Sequence, residues 1–300
     1  MCGRAVVRLT AGPGDAEALA ERAVAQGFRT VVAAGGDGTI NEVVNGLAGS
    51  DVTLGLLPLG TMNVFAAELG IPSNRHRRCW EIIEAGHIRR IDLARANDHY
   101  FVQLAGIGFD AQAVAGVDHA FKKNFGPLSY LISAARVAAR RPPQLVVEPE
   151  HGPVREGSFV LVGNGRFYGG PFTVFKNASL EDGKLDVVIC KNVGHLDMIR
   201  YAQNVLFGTH LELPDVEHFQ TRRVTVRCAG CAADQEEEKV PFEADGELIG
   251  HAPVTFRISP GKLRVLVPAP APAKATRAKP VATRKIRDPA HHHPVTPVTR

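Results

Sequence analysis

The residues with the clearest chemical potential form a glycine loop, Gly35-Gly36-Asp37-Gly38-Thr39, directly after an apolar run. Glycines have no Cβ, so a phosphate can approach the backbone N–H groups of such a loop closely. Thr39 and Glu42 match the S/T-x-x-E capping box, which predicts that a helix begins at Ile40 with its positive end toward the loop. The Asp37 carboxylate would repel a phosphate unless a Mg²⁺ ion or a network of donors lies between them. The loop therefore predicts a phosphate site, although a plain strand-to-helix turn would use the same residues.

A second loop, Leu57-Pro58-Leu59-Gly60-Thr61-Met62-Asn63, occupies the next predicted strand-to-helix junction. It offers a glycine, a hydroxyl and a helix start. Adjacent parallel strands place the loops that follow them at the same edge of a sheet, where α/β proteins bind their ligands. Two loops at one edge favour a ligand site over a pair of ordinary turns, although Thr61 taken alone is better explained as a helix N-cap.

These loops require a parallel sheet to bring them together, and the chain up to about residue 93 alternates strand and helix patterns as such a sheet demands. The predicted strands are residues 5–9, 30–34 and 52–57, and the predicted helices are residues 15–25, 40–47 and 62–69. We therefore predict an α/β nucleotide-binding domain over residues 1–93.

The pattern changes after residue 93 to short β-rich runs separated by Gly, Pro, Asn and Asp. The predicted strands are residues 100–106, 144–148, 159–163, 185–190, 223–228 and 254–258, with helices at 125–140 and 196–207. Residues 94–268 are therefore predicted to form a β-rich second domain. Residues 269–300 contain Pro, Ala, Lys and Thr with one large apolar side chain, Ile286, so we expect a disordered basic tail.

The bulk composition excludes several classes of protein. With 45% hydrophobic and 22% charged residues, the chain has the composition of a globular protein. It has no apolar run long enough to cross a bilayer and no signal-peptide core, which predicts a cytoplasmic location. The net charge of +4 includes +6 from the tail, so the rest of the chain carries −2 and gives no reason to expect a nucleic-acid partner. The five scattered cysteines are predicted to be reduced thiols.

The motifs as a set resemble the diacylglycerol kinase catalytic domain, in particular the bacterial lipid kinase family that also includes sphingosine and ceramide kinases. They are residues 35–46 (GGDGTINEVVNG), 57–63 (LPLGTMN), 69–72 (LGIP), 106–110 (GIGFD), 163–170 (GNGRFYGG), 178–186 (ASLEDGKLD) and 245–247 (DGE). The resemblance covers nearly all of residues 5–268.

This resemblance implies an α/β domain and a β-sandwich domain with the active site in the cleft between them. It implies that ATP is bound by two glycine loops and by a threonine that precedes them. By position in the motifs, the ATP-binding residues are Thr10, Gly35, Gly36, Asp37, Gly38, Thr39, Ile40, Asn41, Glu42, Gly60 and Thr61.

The resemblance also implies the catalytic and metal-binding residues. Glu247 matches the proposed proton acceptor of the family, and we assign it and Asp37 as catalytic residues. A carboxylate that takes the proton of a lipid hydroxyl, a poor nucleophile, accelerates phosphoryl transfer by about 10²- to 10⁴-fold. A structural Mg²⁺ is implied near Ser179, Asp182 and Lys184, the last through its backbone carbonyl. From the residues alone, Asp-Gly at 182–183 and at 245–246 would be interpreted as turns.

Two features depart from the family pattern. The family's first strand and its Asn-Pro-x-Ser-Gly loop, which also contacts ATP, would precede Thr10 and are absent from this sequence. Either the start codon is placed too late or the protein has lost part of its nucleotide site, and we expect the former. Val64 and Ala67 stand where many diacylglycerol kinases have Asp and Arg, so the resemblance leaves the identity of the lipid open.

The expected activity is ATP- and Mg²⁺-dependent phosphorylation of a lipid hydroxyl, with diacylglycerol or a related lipid as acceptor. Peripheral contact with a membrane and a homodimer are further expectations. Two alternatives remain at this stage: an NAD kinase-like enzyme, which would share the Gly-Gly-Asp-Gly loop, and a non-catalytic lipid-binding or regulatory protein.

Overall fold

The computed structural model describes residues 5–108, 143–170, 172–192, 194–230 and 239–270. Contacts divide the chain into a compact unit, Met1–Ala269, and a second unit, Pro270–Arg300. The predicted helix at 125–140 and residues 271–300 of the predicted tail lie outside the described residues. No helix in the described part of the chain is long and apolar enough to span a membrane.

The helices are α1 (Asp15–Ala25), α2 (Asp37–Leu47), α3 (Val64–Glu68), α4 (His76–Ala85) and α5 (His195–Phe207), with a 3-10 helix at His210–Glu212. The strands are β1 (Thr30–Gly35), β2 (Thr53–Pro58), β3 (Ile88–Ala96), β4 (His99–Phe101), β5 (Leu104–Gly108), β6 (Leu145–Pro149), β7 (Arg155–Gly157), β8 (Phe159–Gly163), β9 (Phe167–Tyr168), β10 (Phe172–Thr173), β11 (Leu185–Cys190), β12 (Val216–Thr221), β13 (Arg223–Cys228), β14 (Pro241–Ala244), β15 (Glu247–His251) and β16 (Val254–Leu266).

One mixed sheet carries both glycine loops. Its strand order is β1-β2-β16-β13-β6-β7, with β3 paired to β16 and β4 paired to β3. Strands β1 and β2 are parallel, so the loops that follow them lie at the same edge, as the sequence predicts. The end of β16 runs parallel to β2 with Arg264 opposite Thr53, so the last strand of the described chain completes the sheet that begins with β1.

A second sheet packs on the β-rich part of the first and forms the predicted sandwich. Its order is β12-β11-β8-β5-β14-β15. The core between the two sheets includes Phe101, Phe242 and Phe256, and Phe256 lies edge-on to each of the other rings at a centroid distance of 6.2 Å. Strands β5, β8 and β11 are buried on both faces, because α5 and the segment preceding β11 cover the outer face of this sheet.

The prediction of a strand at residues 5–9 is wrong. This segment forms no ladder, and Val7 and Leu9 are exposed. Within the described residues β1 pairs with β2 alone, so β1 is an edge strand. An apolar run supplies β-propensity, but a strand also needs a neighbour with which to exchange backbone hydrogen bonds, and residues 5–9 have none here.

The cysteine prediction is correct for two described residues and wrong for a third. Cys79 and Cys190 are buried free thiols. Burial raises the pKa of the Cys190 thiol to about 12, which keeps it protonated and unreactive. Cys228, by contrast, is disulfide-bonded.

Candidate active site

The two glycine loops touch each other through their backbones. The N–H of Leu59 donates to the Gly35 carbonyl over 2.9 Å, which extends the β1–β2 ladder into the loops. A Cβ added to Gly60 would lie 2.5 Å from the Gly36 Cα, so no side chain fits between the loops at this point. The sequence predicted both glycines as phosphate-site residues, and their second role is to let the loops meet.

Asn63 closes the second loop on itself. Its Oδ1 accepts the N–H of Gly60 over 2.9 Å and its Nδ2 donates to the Gly60 carbonyl over 2.6 Å. Asn63 has a left-handed backbone with φ of 50° and is the N-cap residue of α3. The prediction of Thr61 as N-cap is therefore wrong, and Thr61 is an exposed residue of the loop.

We expect Gly60→Ala to disrupt this junction strongly. The added methyl group meets backbone at 2.5 Å, so the loops must separate. Overpacking of this kind costs about 1–3 kcal/mol of stability, and separation of the loops should weaken ATP binding by at least about tenfold. Urea unfolding and ATP titration measure the two effects. Gly12→Ala is the matched control, because its Cβ enters open space; an equal loss of stability in both variants would contradict the interpretation.

Asp37 joins the first loop to the second. It is the first residue of α2, and the backbone N–H groups of Asn63, Val64 and Phe65 at the start of α3 act on its carboxylate and lower its pKa. Burial raises the pKa of Asp37 by more than these N–H groups lower it. The sequence predicts either a Mg²⁺ ion or a network of donors beside Asp37, and the N–H groups at the start of α3 are donors of that kind. The role of Mg²⁺ stays a prediction.

The predicted capping box is wrong. Helix α2 begins at Asp37 with Gly36 as its N-cap residue, and no side chain caps it. The Glu42 carboxylate instead accepts the N–H groups of Gly14 and Ala16, at 2.9 and 3.0 Å, and so caps α1. Acidic groups are favourable at that position because the helix dipole is positive there. No local pattern in the sequence indicates so distant a partner.

We expect Glu42→Gln to destabilise the protein by about 1 kcal/mol, because α1 loses its charged cap while the shape of the side chain is kept. Urea unfolding measures the change. Glu21→Gln on the exposed side of α1 is the matched control. Equal stability of the two variants would show that the Glu42 contact contributes nothing measurable.

Two of the predicted ATP-binding residues are buried inside the protein. Ile40 and Asn41 are buried, with 1% and 2% of their surface exposed, and the N–H of Ile40 donates to the Gly36 carbonyl. Thr10 is exposed and has no element of secondary structure around it. The structure brings Gly35, Gly36, Asp37, Gly38 and Thr39 next to Gly60 and Thr61.

Glu247 reaches this loop from the sandwich. It follows a two-residue turn, Asp245-Gly246, in which both residues have positive φ, at 49° and 85°. The prediction of a hairpin turn at 245–246 is therefore correct. The role of Glu247 as base stays a prediction. A Cβ added to Gly38 would lie 2.5 Å from Glu247 Oε1, so this carboxylate lies against the first turn of α2.

Asp245 holds the Glu247 turn in place, a role that the sequence did not reveal. Its carboxylate accepts the N–H groups of Val102, Gln103 and Leu104 at 2.8, 2.9 and 3.1 Å. It also accepts Asn41 Nδ2 at 2.7 Å, which connects the turn to α2. The Asp245 carboxylate thereby connects the turn before Glu247 to α2 and to the segment between β4 and β5.

The glycine-rich segment 163–170 forms a further wall, fastened by Glu68 of α3. The two Glu68 carboxylate oxygens accept the N–H and Nε of Arg166, at 2.9 and 2.8 Å. Val64 and Ala67, where the family pattern has charged residues, lie on the same short helix. Glu68 is the acidic residue of this helix, and its carboxylate is paired with Arg166.

The predicted metal residues lie in the turn before β11. Asp182 Oδ1 accepts the Lys184 N–H at 3.0 Å, and Ser179 Oγ accepts the Glu181 N–H at 3.3 Å. The Lys184 ammonium donates to Gln220 and is positively charged, so it cannot bind a cation. The group of Lys184 that can act as a ligand is its backbone carbonyl. Burial raises the pKa of Asp182, and the nearby Asp186 adds to the rise.

The ligand atoms that this turn offers are oxygens, and the carboxylates of Asp92 and Asp186 lie near Asp182. Oxygen ligands and negative charge suit Mg²⁺. The described residues contain no group of three or more His, Cys, Asp or Glu side chains that could hold a metal. A cation here would therefore rely on one carboxylate, a hydroxyl, carbonyl groups and water.

Two glycine loops that follow the parallel strands β1 and β2 of the mixed sheet, met by a carboxylate from a β-sandwich, define a kinase fold. The chain belongs to the diacylglycerol kinase family. Residues 2–96 match the model of the diacylglycerol kinase catalytic domain, and residues 104–267 match that of the YegS C-terminal NAD kinase beta sandwich-like domain.

Individual relatives agree with this assignment. The chain is 34% identical over 248 residues to a diacylglycerol kinase of Bacillus subtilis, covering 81% of this chain and 79% of the relative. It is 30% identical over 272 residues to a diacylglycerol kinase of Mycobacterium tuberculosis, covering 88% and 85%. A crystal structure of a diacylglycerol kinase from Bacillus anthracis superposes with a TM-score of 0.68 at 25% identity, covering 86% and 84%.

Proposed function

We propose that this protein transfers the γ-phosphoryl group of ATP to the hydroxyl of diacylglycerol or a related lipid, with Mg²⁺ as cofactor. The observation that carries the proposal is the position of Glu247, whose carboxylate comes from the sandwich and lies against Gly38 of the phosphate loop. The names of the relatives support a lipid as the acceptor.

In this proposal the phosphates of ATP lie over residues 35–39 and 60–61. Backbone N–H groups without neighbouring Cβ atoms and the positive end of α2 stabilise the negative charge. Phosphoryl transfer depends mainly on such positioning and charge stabilisation. A Mg²⁺ ion that binds with ATP would neutralise part of the phosphate charge. Ser179, Asp182 and the Lys184 carbonyl would hold a separate, structural cation.

Glu247 acts as the general base. As the lipid hydroxyl attacks the γ-phosphorus, its proton passes to the Glu247 carboxylate, the bond from phosphorus to the bridging oxygen breaks, and ADP leaves. Asp37 acts on the loops by keeping α3 against the first turn of α2. Asp245 keeps the turn that carries Glu247 at a fixed position.

A direct assay tests the proposal. The purified protein is incubated with labelled ATP, MgCl₂ and dioleoylglycerol in detergent micelles, and the lipid phase is examined for labelled phosphatidic acid. We expect labelled product that disappears when EDTA is added. A parallel reaction contains NAD in place of the lipid. NADP as its product, with no lipid product in the first reaction, would identify an NAD kinase, and the absence of both products would identify a non-catalytic protein.

A further inference from the structure

Helix α5 has an outer face of large apolar side chains that no described residue covers. Leu196, Ile199, Leu206 and Phe207 are 82%, 56%, 64% and 82% exposed. At 100° per residue these side chains lie on one side of the helix, and Gln203 is the polar residue among them. A continuous apolar surface of this kind on a globular protein marks a site of interaction.

The other side of α5 already has its partners. Tyr201 is buried in the core beneath the second sheet, and its hydroxyl donates to Asp215 over 2.6 Å. Arg200 forms ion pairs with Asp197 and Asp215. Asp197 and Arg200 of the helix are thus paired with each other and with Asp215. The outer apolar face is not needed for packing within the described chain.

The apolar surface continues toward the candidate active site. Strand β10 packs against α5, and its Phe172 is exposed. Strand β9, paired with β10, packs against α3, and a Cβ added to Gly170 would lie 3.4 Å from Met62 Cε in the second glycine loop. Met62 and Leu59 of that loop are also exposed.

We propose that the outer face of α5, together with Phe172, is the surface by which this protein docks on a lipid bilayer. The inference rests on the proposed function. A diacylglycerol keeps its acyl chains in the bilayer, so the candidate site around Glu247 must come to the membrane surface. An apolar face connected to that site through β9 and β10 inserts into the acyl boundary while the hydroxyl reaches Glu247.

The charge at the rim of this face predicts how the contact responds to salt. Lys176 lies at the C-terminal end of α5, where its Nζ would be 3.4 Å from a Cβ on Gly208, and Glu212 lies in the following 3-10 helix. The rim therefore has mixed charge, and the face itself has none. Attachment through α5 is apolar and resists salt, unlike attachment through the basic tail, which salt would screen.

The first test measures binding to dioleoylphosphatidylcholine vesicles that contain dioleoylglycerol. The variant is Ile199→Gln/Leu206→Gln, because Gln keeps the helix and adds no charge, and the matched control is Val154→Gln, a change at another exposed apolar residue. We expect the wild type and the control to sediment with vesicles at low and high salt, and the double variant to bind about 30-fold or more weakly. Activity on dispersed dioctanoylglycerol should be unchanged in all three.

Vesicle binding that is equal in the double variant and the wild type would overturn the proposal, as would a wild type that does not bind vesicles. Light scattering tests for a second copy of the chain on this face. A dimer that the double variant converts to a monomer would also overturn it. If the wild type binds vesicles through α5 but phosphorylates no acylglycerol, the proposed function fails while the docking surface stands.

A second test places a reporter on the face itself. The sequence has one tryptophan, Trp80, so a Trp80→Phe background carries no tryptophan signal. Leu206→Trp in this background should shift its fluorescence to the blue only when vesicles are added, because an indole ring prefers the membrane interface. A blue shift without vesicles that grows with protein concentration, or no shift at all, would contradict docking on a bilayer.

Discussion

The Glu247→Gln variant is expected to lose about 10²- to 10⁴-fold in kcat for lipid phosphorylation and to bind ATP as tightly as the wild type. Gln has nearly the same shape as Glu, but its amide cannot accept the proton of the attacking hydroxyl. The carboxylate lies against Gly38 on the phosphate loop and belongs to a different sheet from that loop, so the phosphate site should keep its geometry. Initial rates with saturating dioleoylglycerol and a separate ATP titration measure the two quantities.

Glu84→Gln, an exposed change on α4, provides the control for a change of charge alone. We expect this variant to keep wild-type kcat and the same unfolding midpoint as Glu247→Gln. Retention of most of the wild-type kcat in Glu247→Gln would rule out its role as general base. A large rise in KM for ATP would assign it to nucleotide binding instead.

The sequence predicted best those elements whose patterns are local. The strands Phe159–Gly163, Leu185–Cys190 and Arg223–Cys228 and the helix Asp15–Ala25 have the bounds that the sequence predicts. Each is a short run of one periodicity between turn residues, and nothing distant is needed to define it. The two glycine loops were found for the same reason, since a loop between strand and helix is a local feature.

Predictions from the sequence were wrong or incomplete where the structure of a segment depends on a partner far away in the chain. Glu42 fits a capping box with Thr39, but its carboxylate accepts the backbone N–H groups of Gly14 and Ala16. The fold brings these groups beside α2. The predicted strand at 254–258 continues to Leu266 because its second half finds partners in β2 and β3. Local pattern cannot distinguish such cases, because the energy of pairing comes from residues far away in the chain.

The same limit applies to the candidate site. The resemblance to the family identified Glu247, but not the Asp245 carboxylate that fixes its turn through Asn41, 204 residues earlier in the chain. The pairing of Glu68 with Arg166 spans 98 residues and was also missed. The sequence therefore indicated the candidate substrate-binding groups but not the groups that position them, because positioning groups act only through the fold.

The Asp37→Asn variant is expected to lose about 100-fold or more in kcat/KM while the protein remains folded. The backbone N–H groups at the start of α3 interact favourably with the charged Asp37 carboxylate. An Asn side chain has no charge, one acceptor oxygen and an amide group that can only donate, so it interacts less well with those N–H groups. We expect α3 to detach from α2, the KM for ATP to rise and the free energy of unfolding to fall by about 1–3 kcal/mol. The exposed Asp51→Asn change serves as control.

A double-mutant cycle separates this positioning role from direct binding of Mg²⁺ by Asp37. Asp37→Asn and Gly60→Ala both act on the junction of the two loops, so their effects on kcat/KM should not add: once one has separated the loops, the other has little left to disturb. Direct binding of the cation would instead give additive effects and a higher Mg²⁺ requirement in Asp37→Asn alone. Additive losses with a shifted Mg²⁺ dependence would therefore assign Asp37 to the metal, and non-additive losses at unchanged Mg²⁺ dependence assign it to the junction that holds the phosphate loop in shape.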